Sequence, residues 1–577
     1  MVVKANSQTF TILAQDPAVR NAHGELLFAR VSVPRESLGL GPTGYRLKVV
    51  DFDASRNQLY HAHAYQQDAA SGCMIDPFDP PGEALLGNPA FHCQHVYAVV
   101  MRTLARFEMA LGRRVGWGFD GHQLHVVPHA FVEANAFYSR ADRALMFGYF
   151  KGLDGQHVFT CLSHDIVAHE ATHAILDGLR GGFMNASGPD QAAFHEGFAD
   201  VVALLSVFSL REIIEFALTN GGRIELTVQG DRRLLNGDQL SPQNLAESLL
   251  FGIGEEFGQQ LEGLRANALR RSVMLPPSTD YLNGEQFAEA HNRGEVFAAA
   301  MLRSMLALWV ARLGELGNFG DNLYNLREVV AEGAKAADQL LTIAIRALDY
   351  CPPLDLEFGD YLAALLTVDA QVAPDDSRYD YRLIIRTTFE AFGIVPPATR
   401  TDSNGCWHGF ADNGQVQYRN SHFDSMLRDD EEVFRFLWEN RTVLGIDERA
   451  YTQVVSVRPS IRLGTDGLLL RESVCEYIMK ANIFGAELKS VCNISPRPAW
   501  VKTTDALTVY GAGTLIFDQY GRIKYHVQRP LNDGQWQLRR LSYLAGLDNG
   551  ELDLRNPLAQ LHRQRAWQVG PLREEQA

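Results

Sequence analysis

The chain has 577 residues, which is too many for one compact hydrophobic core, so we expect two or three domains. Hydrophobic residues make up 46% and charged residues 21%, values that are typical of a globular protein and exclude an intrinsically disordered one. The formal net charge of −16 argues against a nucleic-acid binder, because contacts to phosphates require a basic surface.

Seven cysteines are scattered without the paired spacing of a disulfide framework, which indicates reduced thiols. The N-terminus lacks a charged segment followed by an apolar one, so no secretory signal is predicted. No uninterrupted apolar run reaches the roughly 18 residues that a membrane span requires. We therefore expect a cytoplasmic protein that does not bind membranes.

The first part of the chain alternates short β-like runs with turn-forming clusters. A Pro/Gly-rich stretch at residues 75–91 interrupts this pattern and marks a domain boundary. From His92 to Gly112, apolar residues recur at helical spacing. The next expected elements are helices centred on residues 161–179 and 191–210, a hairpin at 223–235, and long helices from 296 to about 392.

A second linker, rich in Pro, Thr, Ser and Gly, lies at residues 393–405. An acidic helical segment is expected at 429–440, and a hairpin with a Tyr-Gly-Arg turn at 507–527. The predicted fold class is α+β, because a mainly helical region lies between two β-rich ones. The predicted domains are a β-rich domain at residues 1–85, a central domain at 86–395 and a second β-rich domain at 396–577.

The helix predicted near residues 161–179 contains the motif His-Glu-x-x-His, with His169 and His173 four positions apart. This spacing places both imidazoles on one helix face, close enough to bind a single ion. Glu170 lies beside His169 and can reach a metal-bound water. The alternative is a pair of structural histidines on an ordinary helix. It is disfavoured because unpaired imidazoles within an apolar helix are costly.

A second helical segment supplies two carboxylates at the same spacing, Glu196 and Asp200. Catalytic zinc usually takes three protein ligands and leaves one position for water, and His/His/Glu is one such set. We therefore predict that His169, His173 and Glu196 bind Zn2+ and that Asp200 accepts the free N–H of a ligating histidine. An exposed acidic pair is the alternative, but the apolar neighbours of Glu196 indicate a buried helix.

These motifs resemble the gluzincin metalloproteases, specifically the thermolysin and fungalysin families. The segment EANAFYSRADRALMFG is similar to the thermolysin-type edge strand, which places Asn135 and Ala136 at the substrate backbone. The segment HNRGEVFAAAML resembles a fungalysin motif and places His291 as the group that stabilises the oxyanion. Asp177 corresponds to a family aspartate that supports either the metal ligands or the fold. The resemblance covers residues 92–395 and implies a thermolysin-like catalytic domain there.

The resemblance implies zinc-dependent hydrolysis of peptide bonds, with a protein or peptide as substrate. Zinc would lower the pKa of its bound water, Glu170 would act as general base, and His291 would share the charge of the oxyanion with zinc. Arg293 is a second candidate donor near the site, with a solvated arginine as the alternative. No phosphate-binding loop or dinucleotide motif indicates an organic cofactor.

The loop between the two motif helices departs from the thermolysin pattern, which has a tyrosine donor there. This chain has Phe183 and Met184 instead, so either His291 acts alone or Tyr138 substitutes. The acidic cluster that binds calcium in thermolysin has no clear counterpart, so calcium is not predicted. We favour an intracellular endopeptidase with a restricted substrate. The alternative is a catalytically silent gluzincin-fold binding or scaffold protein, which would have no use for Glu170.

The remaining histidines show no cysteine or carboxylate partner at a useful spacing, so we interpret them as structural. We expect His164 to cap its helix or to face solvent. The other members of this group are His61, His63, His92, His95, His122, His125 and His129.

Overall fold

The computed structural model describes the chain except for residues 1–5, 22, 70–73, 153–154, 185–186, 221–223, 255–274, 319, 321, 464–468 and 548–577. Helices and strands form largely separate layers, so the α+β fold class is confirmed. Six described cysteines are free and buried. The seventh, Cys73, lies outside the described residues.

Sixteen strands are present in the described residues. They are β1 Ser7–Leu13, β2 Phe28–Pro34, β3 Leu47–Val49, β4 Phe52–Asp53, β5 Gln58–Leu59, β6 Leu124–Val132, β7 Ala136–Ser139, β8 Ala144–Lys151, β9 His157–Phe159, β10 Leu226–Gln229, β11 Arg232–Asn236, β12 Leu323–Asn325, β13 Tyr451–Leu463, β14 Leu469–Phe484, β15 Ala506–Phe517 and β16 Ile523–Arg529.

The helices fall mainly between the first and last groups of strands. They are α1 Pro89–Leu111, α2 His164–Leu179, α3 Pro189–Phe208, α4 Arg211–Asn220, α5 Pro242–Gly254, α6 Ala290–Leu313, α7 Leu326–Ala347, α8 Phe358–Val372, α9 Tyr381–Glu390, α10 Phe423–Met426, α11 Asp430–Glu439, α12 Arg441–Leu444, α13 Leu488–Cys492 and α14 Gly534–Leu547.

Several predicted elements are confirmed. The helix expected from His92 to Gly112 is α1: Asn88 caps its N-terminus by accepting from the Ala90 amide, and Pro89 occupies its first turn. Gly112 ends the helix in the left-handed region, at a φ of 67°. The two predicted hairpins are β10–β11 and β15–β16, and the acidic helix is α11.

A mixed sheet lies beside the central helices, with the strand order β3-β6-β8-β7, and β9 pairs with β8. Strand β6 runs parallel to β3 and β8, whereas β7 runs antiparallel to β8. Because β7 ends the strand order, it forms an edge of the described sheet. An edge strand can accept a further extended chain by backbone pairing.

The buried side chains of β1 and β2 share one apolar cluster with those of α1, α2 and α3. For example, Phe10 of β1 meets Tyr97 of α1 edge to face, with ring centroids 5.9 Å apart. The N-terminal strands therefore pack on the central helices, and the domain boundary expected at residue 85 stays a prediction.

Among the described residues, one helix is long and apolar enough to span a membrane by length and composition alone, namely α6. Its most apolar window is 78% buried inside the molecule. A buried core helix has the same composition. Arg303 lies within α6, and its guanidinium donates to the Leu275 carbonyl oxygen at 3.0 Å.

The last four strands form one antiparallel sheet in the order β13-β14-β15-β16. Its two faces contact different cores, because side chains alternate along a strand. Val474 and Ile516 belong to the large central cluster, whereas the adjacent Cys475 and Leu515 belong to a second, C-terminal cluster. The sheet therefore lies between the central helices and the C-terminal helices.

Buried ion pairs also join this sheet to the central helices. Arg462 of β13 donates to Asp349 at 2.6 Å, and Arg113 binds both oxygens of the same carboxylate at 2.7 Å. Arg180, the residue that ends α2, pairs with Glu476 of β14. The C-terminal sheet thus neutralises charges that the central helices bury.

Candidate metal centre

Helix α2 carries the two motif histidines on one face. The helix is buried along almost its whole length, including both of these side chains. The Nε2 atoms of His169 and His173 lie 2.8 Å apart, and the two ring centroids are 4.5 Å apart. Two ring nitrogens this close on one helix face can approach a single ion, as their spacing predicts.

Glu196 of α3 brings a carboxylate to the same point. Its Oε2 lies 3.5 Å from His169 Nε2, and its Oε1 lies 3.6 Å from His173 Nε2. Each of the three buried residues offers one ligand atom, and these atoms lie within 4.8 Å of one another. Zinc bonds to such atoms are about 2.0–2.2 Å long, so ligand atoms around a tetrahedral ion are separated by about 3–4 Å. The two distances to Glu196 lie in this range, and the 2.8 Å between the two ring nitrogens is slightly shorter. This group could therefore hold a metal ion.

Two glycines determine how closely α3 approaches α6. A Cβ on Gly197 would lie 2.8 Å from the Gly294 carbonyl oxygen and 3.0 Å from the Gly294 Cα, so a larger residue requires the helices to move apart. Gly197 directly follows Glu196, and Gly294 lies about one turn after His291. The close crossing brings His291 Nε2 to 3.5 Å from Glu196 Oε2.

The remaining ring nitrogens of the two motif histidines also have partners. His169 Nδ1 lies 2.8 Å from Asp200 Oδ1, so its N–H donates to the carboxylate and Nε2 keeps a lone pair. His173 Nδ1 lies 2.7 Å from His195 Nδ1, and the two rings stack with centroids 4.8 Å apart. When His195 accepts, His173 also presents an Nε2 lone pair. This donor set fits a metal cation.

Glu289 orients His291 from the start of α6. Its carboxylate accepts from the Asn292 amide at 2.9 Å and lies 2.7 Å from His291 Nδ1. Burial raises the pKa of Glu289, but the hydrogen bond and charge of His291, together with backbone N–H groups, outweigh burial and lower this pKa to about 2. The ionised carboxylate therefore holds Nδ1 of His291 and leaves Nε2 on the side of Glu196.

Glu170 is fully buried in α2. As the residue after His169, it lies about 100° further around the helix axis. It is therefore in the same helical turn as the first motif histidine. Its role as general base stays a prediction.

The sequence left two roles open for Asp177, and its contacts favour support of the fold. The Tyr138 hydroxyl donates to Asp177 Oδ2 at 2.8 Å, and Arg140 Nε donates to the same oxygen at 2.7 Å. Burial raises the pKa of Tyr138 to about 12, although the charge of Arg140 acts in the opposite direction. Asp177 thus ties β7 to α2, and the Tyr138 hydroxyl is directed at this carboxylate.

The interpretation of Arg293 as a solvated arginine is wrong, because the side chain is buried. Its Nε donates to Asp190 Oδ1 at 2.6 Å, and its NH1 group donates to the Leu282 carbonyl oxygen at 3.0 Å. A buried guanidinium requires such partners. These contacts fix the loop before α6 against the start of α3, and a substrate role for Arg293 stays a prediction.

Asn135 and Ala136 lie at the start of the edge strand β7. Both are buried, and Asn135 Oδ1 accepts from the Ala136 amide at 2.9 Å. The Asn135 carbonyl oxygen accepts from the Gly148 amide at 2.8 Å, so the backbone at this point is fixed to β8. Their role in substrate binding stays a prediction.

The expectation that His164 caps its helix or faces solvent is wrong, because Ser163 is the N-cap residue and His164 is buried. The structural interpretation of the other histidines stays a prediction. His92 and His129 have the partners that sequence spacing did not reveal: Asp51 Oδ1 lies 2.7 Å from His129 Nδ1, and the Cys161 thiol belongs to the same buried group. The fold brings these residues together from separate elements, which their spacing could not indicate.

Two further residues of the site, His195 and Glu289, were not predicted from the sequence. Each lies close in sequence to a predicted site residue, since His195 precedes Glu196 and Glu289 lies two positions before His291. That adjacency was the available signal. Each of the two acts through the ring nitrogen of a neighbouring histidine, and such contacts depend on the packing of helices.

No model of a known protein family matches this sequence, and no curated protein matches it. The strongest feature of the chain is a buried His/His/Glu group that could hold a metal ion.

Proposed function

We propose that this protein is a zinc-dependent peptidase of the gluzincin type and that residues 86–395 form its thermolysin-like catalytic domain. The observation that carries the proposal is the convergence of His169, His173 and Glu196, with their ligand atoms within 4.8 Å of one another. The order of the sequence motifs and the edge position of β7 are in keeping with it.

The chemistry of the donors favours zinc over the common alkaline-earth ions. Calcium and magnesium prefer sets of oxygen ligands, whereas two imidazoles and one carboxylate are a known set for catalytic zinc. Asp200 supports this assignment because it holds the proton of His169 on Nδ1. Bound zinc supplies an activated water molecule and polarises the scissile carbonyl group.

Glu170 would transfer the protons, and His291 would bind the negatively charged oxyanion. Glu170 takes the proton of the attacking water and passes it to the leaving amine. His291, held by Glu289 at 2.7 Å, donates from Nε2 to the developing oxyanion when its ring carries both protons. With the Tyr138 hydroxyl engaged by Asp177, His291 is the donor that this site offers in the place of the family tyrosine.

The substrate class follows from the edge strand. An extended peptide could add to β7 as a further antiparallel strand, with its backbone held near Asn135 and Ala136. All four residues of β7 are buried, so this addition requires the segments that cover the strand to move. The peptide bond to be cleaved would then lie beside α2. We therefore propose a protein or peptide substrate bound in an extended conformation.

The test compares wild type with Glu170→Gln in a peptide-library cleavage assay, with bound zinc measured by elemental analysis. We expect the same zinc content in both proteins, at least one equivalent per chain, and a loss of cleavage of at least about 100-fold in the variant, because a general base contributes that much. Glu448→Gln is the matched control, because that carboxylate is exposed in a surface ion pair with Arg441.

Cleavage by Glu170→Gln at the rate of wild type would overturn the assignment of the general base. Wild type without zinc, prepared in the absence of chelators, would overturn the metal centre. Zinc in both proteins without cleavage of any peptide would favour the alternative, a catalytically silent binding protein.

A further inference from the structure

A second cluster of potential metal ligands lies outside the site described above. It consists of His92 from α1, His129 from β6 and Cys161 from the turn Thr160–Leu162 that precedes α2. All three side chains are buried. His92 Nδ1 lies 2.8 Å from His129 Nε2, and one ligand atom from each of the three residues lies within 4.8 Å of the others.

The outer ring nitrogens of both histidines contact acceptors. His92 Nε2 lies 2.8 Å from the Leu86 carbonyl oxygen, and His129 Nδ1 lies 2.7 Å from Asp51 Oδ1. Each outer nitrogen therefore carries a hydrogen that it donates. In the neutral rings, the inner nitrogens then face each other with lone pairs, an arrangement that requires a cation between them. A carbonyl or carboxylate behind each ring is the usual environment of metal-binding histidines.

A proton could take the place of the cation. His129 would then be an imidazolium, paired with Asp51 and donating to His92. That arrangement accounts for the contact between the two rings, but it gives no function to the thiol of Cys161. A metal ion would use all three side chains.

A pocket of about 190 Å³ adjoins the cluster. His92 and His129 contribute to its lining, together with the aromatic side chains of Tyr60, Tyr149 and Phe159. An ion with three protein ligands keeps a fourth position. In this cluster, that position can be filled from the pocket by water or by a small ligand.

We propose that His92, His129 and Cys161 bind a second metal ion of the zinc class, with its fourth position open to this pocket. Two imidazoles and one thiolate are borderline to soft donors, which suit Zn2+ and Co2+ and exclude magnesium and calcium. The site shares no ligand with the His169, His173 and Glu196 group, so it does not depend on the proposed peptidase activity.

Cobalt distinguishes the two sites, because only the second contains sulfur. Co2+ bound to a thiolate has a charge-transfer absorption band in the near ultraviolet, whereas Co2+ bound to His/His/Glu does not. We therefore load the full-length, metal-free protein with Co2+ and record this band. In parallel, bound zinc per chain is measured by elemental analysis.

We expect two equivalents of zinc in wild type and one in each of Cys161→Ser, His129→Gln and His173→Ala. The cobalt–thiolate band should be present in wild type and His173→Ala and absent from Cys161→Ser and His129→Gln. Cys492→Ser is the matched control, because Cys492 is a buried cysteine in the separate C-terminal cluster, and this variant should keep both the band and the second equivalent. Circular dichroism checks that each variant is folded.

The absence of a thiolate band from cobalt-loaded wild type overturns the proposal, whether or not any variant folds. A band that persists in folded Cys161→Ser also overturns it. If the peptidase proposal alone is wrong, wild type still binds the ion that depends on Cys161, so the two failures are distinguishable.

Discussion

Asp177, which is buried, and Asp200, which is half-buried, have different partners. Replacing each with asparagine separates support of the proposed metal centre from support of the fold. Asp200 contacts the ring of His169 at 2.8 Å, whereas Asp177 binds Tyr138 and Arg140. We expect Asp200→Asn to weaken zinc binding and Asp177→Asn to lower the free energy of unfolding.

The magnitudes follow from the contacts. Asparagine at position 200 keeps a neutral acceptor for His169 but loses the charge, and charged and neutral hydrogen bonds differ by about 1.5 kcal/mol. The zinc dissociation constant should therefore rise by about 10-fold. The Asp177 side chain is fully buried, but Arg140 is 44% exposed. We therefore expect its loss to lower the free energy of unfolding by about 2 kcal/mol, less than for a fully buried pair.

Zinc affinity is measured by competition with a fluorescent chelator, and the free energy of unfolding by urea titration of the metal-free proteins. Asp177→Asn should bind zinc within about twofold of wild type, since none of its described contacts reaches a ligating ring. Equal weakening of zinc binding by Asp177→Asn and Asp200→Asn, or an unchanged zinc affinity in Asp200→Asn, would contradict the roles assigned to these two aspartates.

Two further predictions concern the packing around the site. In Gly197→Ala the new Cβ meets Gly294, so the free energy of unfolding should fall by about 1–3 kcal/mol, and zinc affinity should decrease as well. A urea midpoint equal to that of wild type would contradict the close crossing of the two helices. Asp349→Asn should lower the free energy of unfolding by about 3 kcal/mol at pH 7, because Arg113 and Arg462 lose their shared carboxylate. Burial raises the pKa of Asp349, but these arginines lower this pKa well below its usual range. The difference in unfolding free energy between wild type and variant should therefore be constant above about pH 4 and become smaller at lower pH. Urea titrations of both proteins at several pH values measure this difference. A decrease of the difference between pH 5 and 8 would contradict a lowered pKa of Asp349 as its cause.

The sequence predicted those features that depend on local periodicity. The hairpin β15–β16 was recognisable because its turn residues separate two runs of strand-forming residues, and α1 because its apolar positions follow the helical repeat. The spacing of His169 and His173 was predictable for the same reason, since a separation of four positions along one helix fixes the distance between two side chains.

Features that depend on tertiary packing were not predictable in this way. His92, His129 and Cys161 lie on three elements, and only the order of strands in the sheet and the packing of α1 bring them together. The burial of Arg293 likewise depends on Asp190 at the start of another helix. Such contacts are set by the arrangement of elements, which no short sequence window contains.

The pairing of Arg180 with Glu476 bears on the order in which the molecule is assembled. During synthesis, β14 leaves the ribosome long after α2, so the guanidinium at the end of α2 has no carboxylate from this strand while the central helices first collapse. Asp349 of the central region also attracts this guanidinium, so its charge is only partly compensated before β14 arrives. Burying an incompletely compensated charge is unfavourable, and the C-terminal end of α2 should therefore reach its final packing only once the last sheet has docked. On this account, the helix that carries His169 and His173 completes its packing late, so the candidate metal centre would also be completed late.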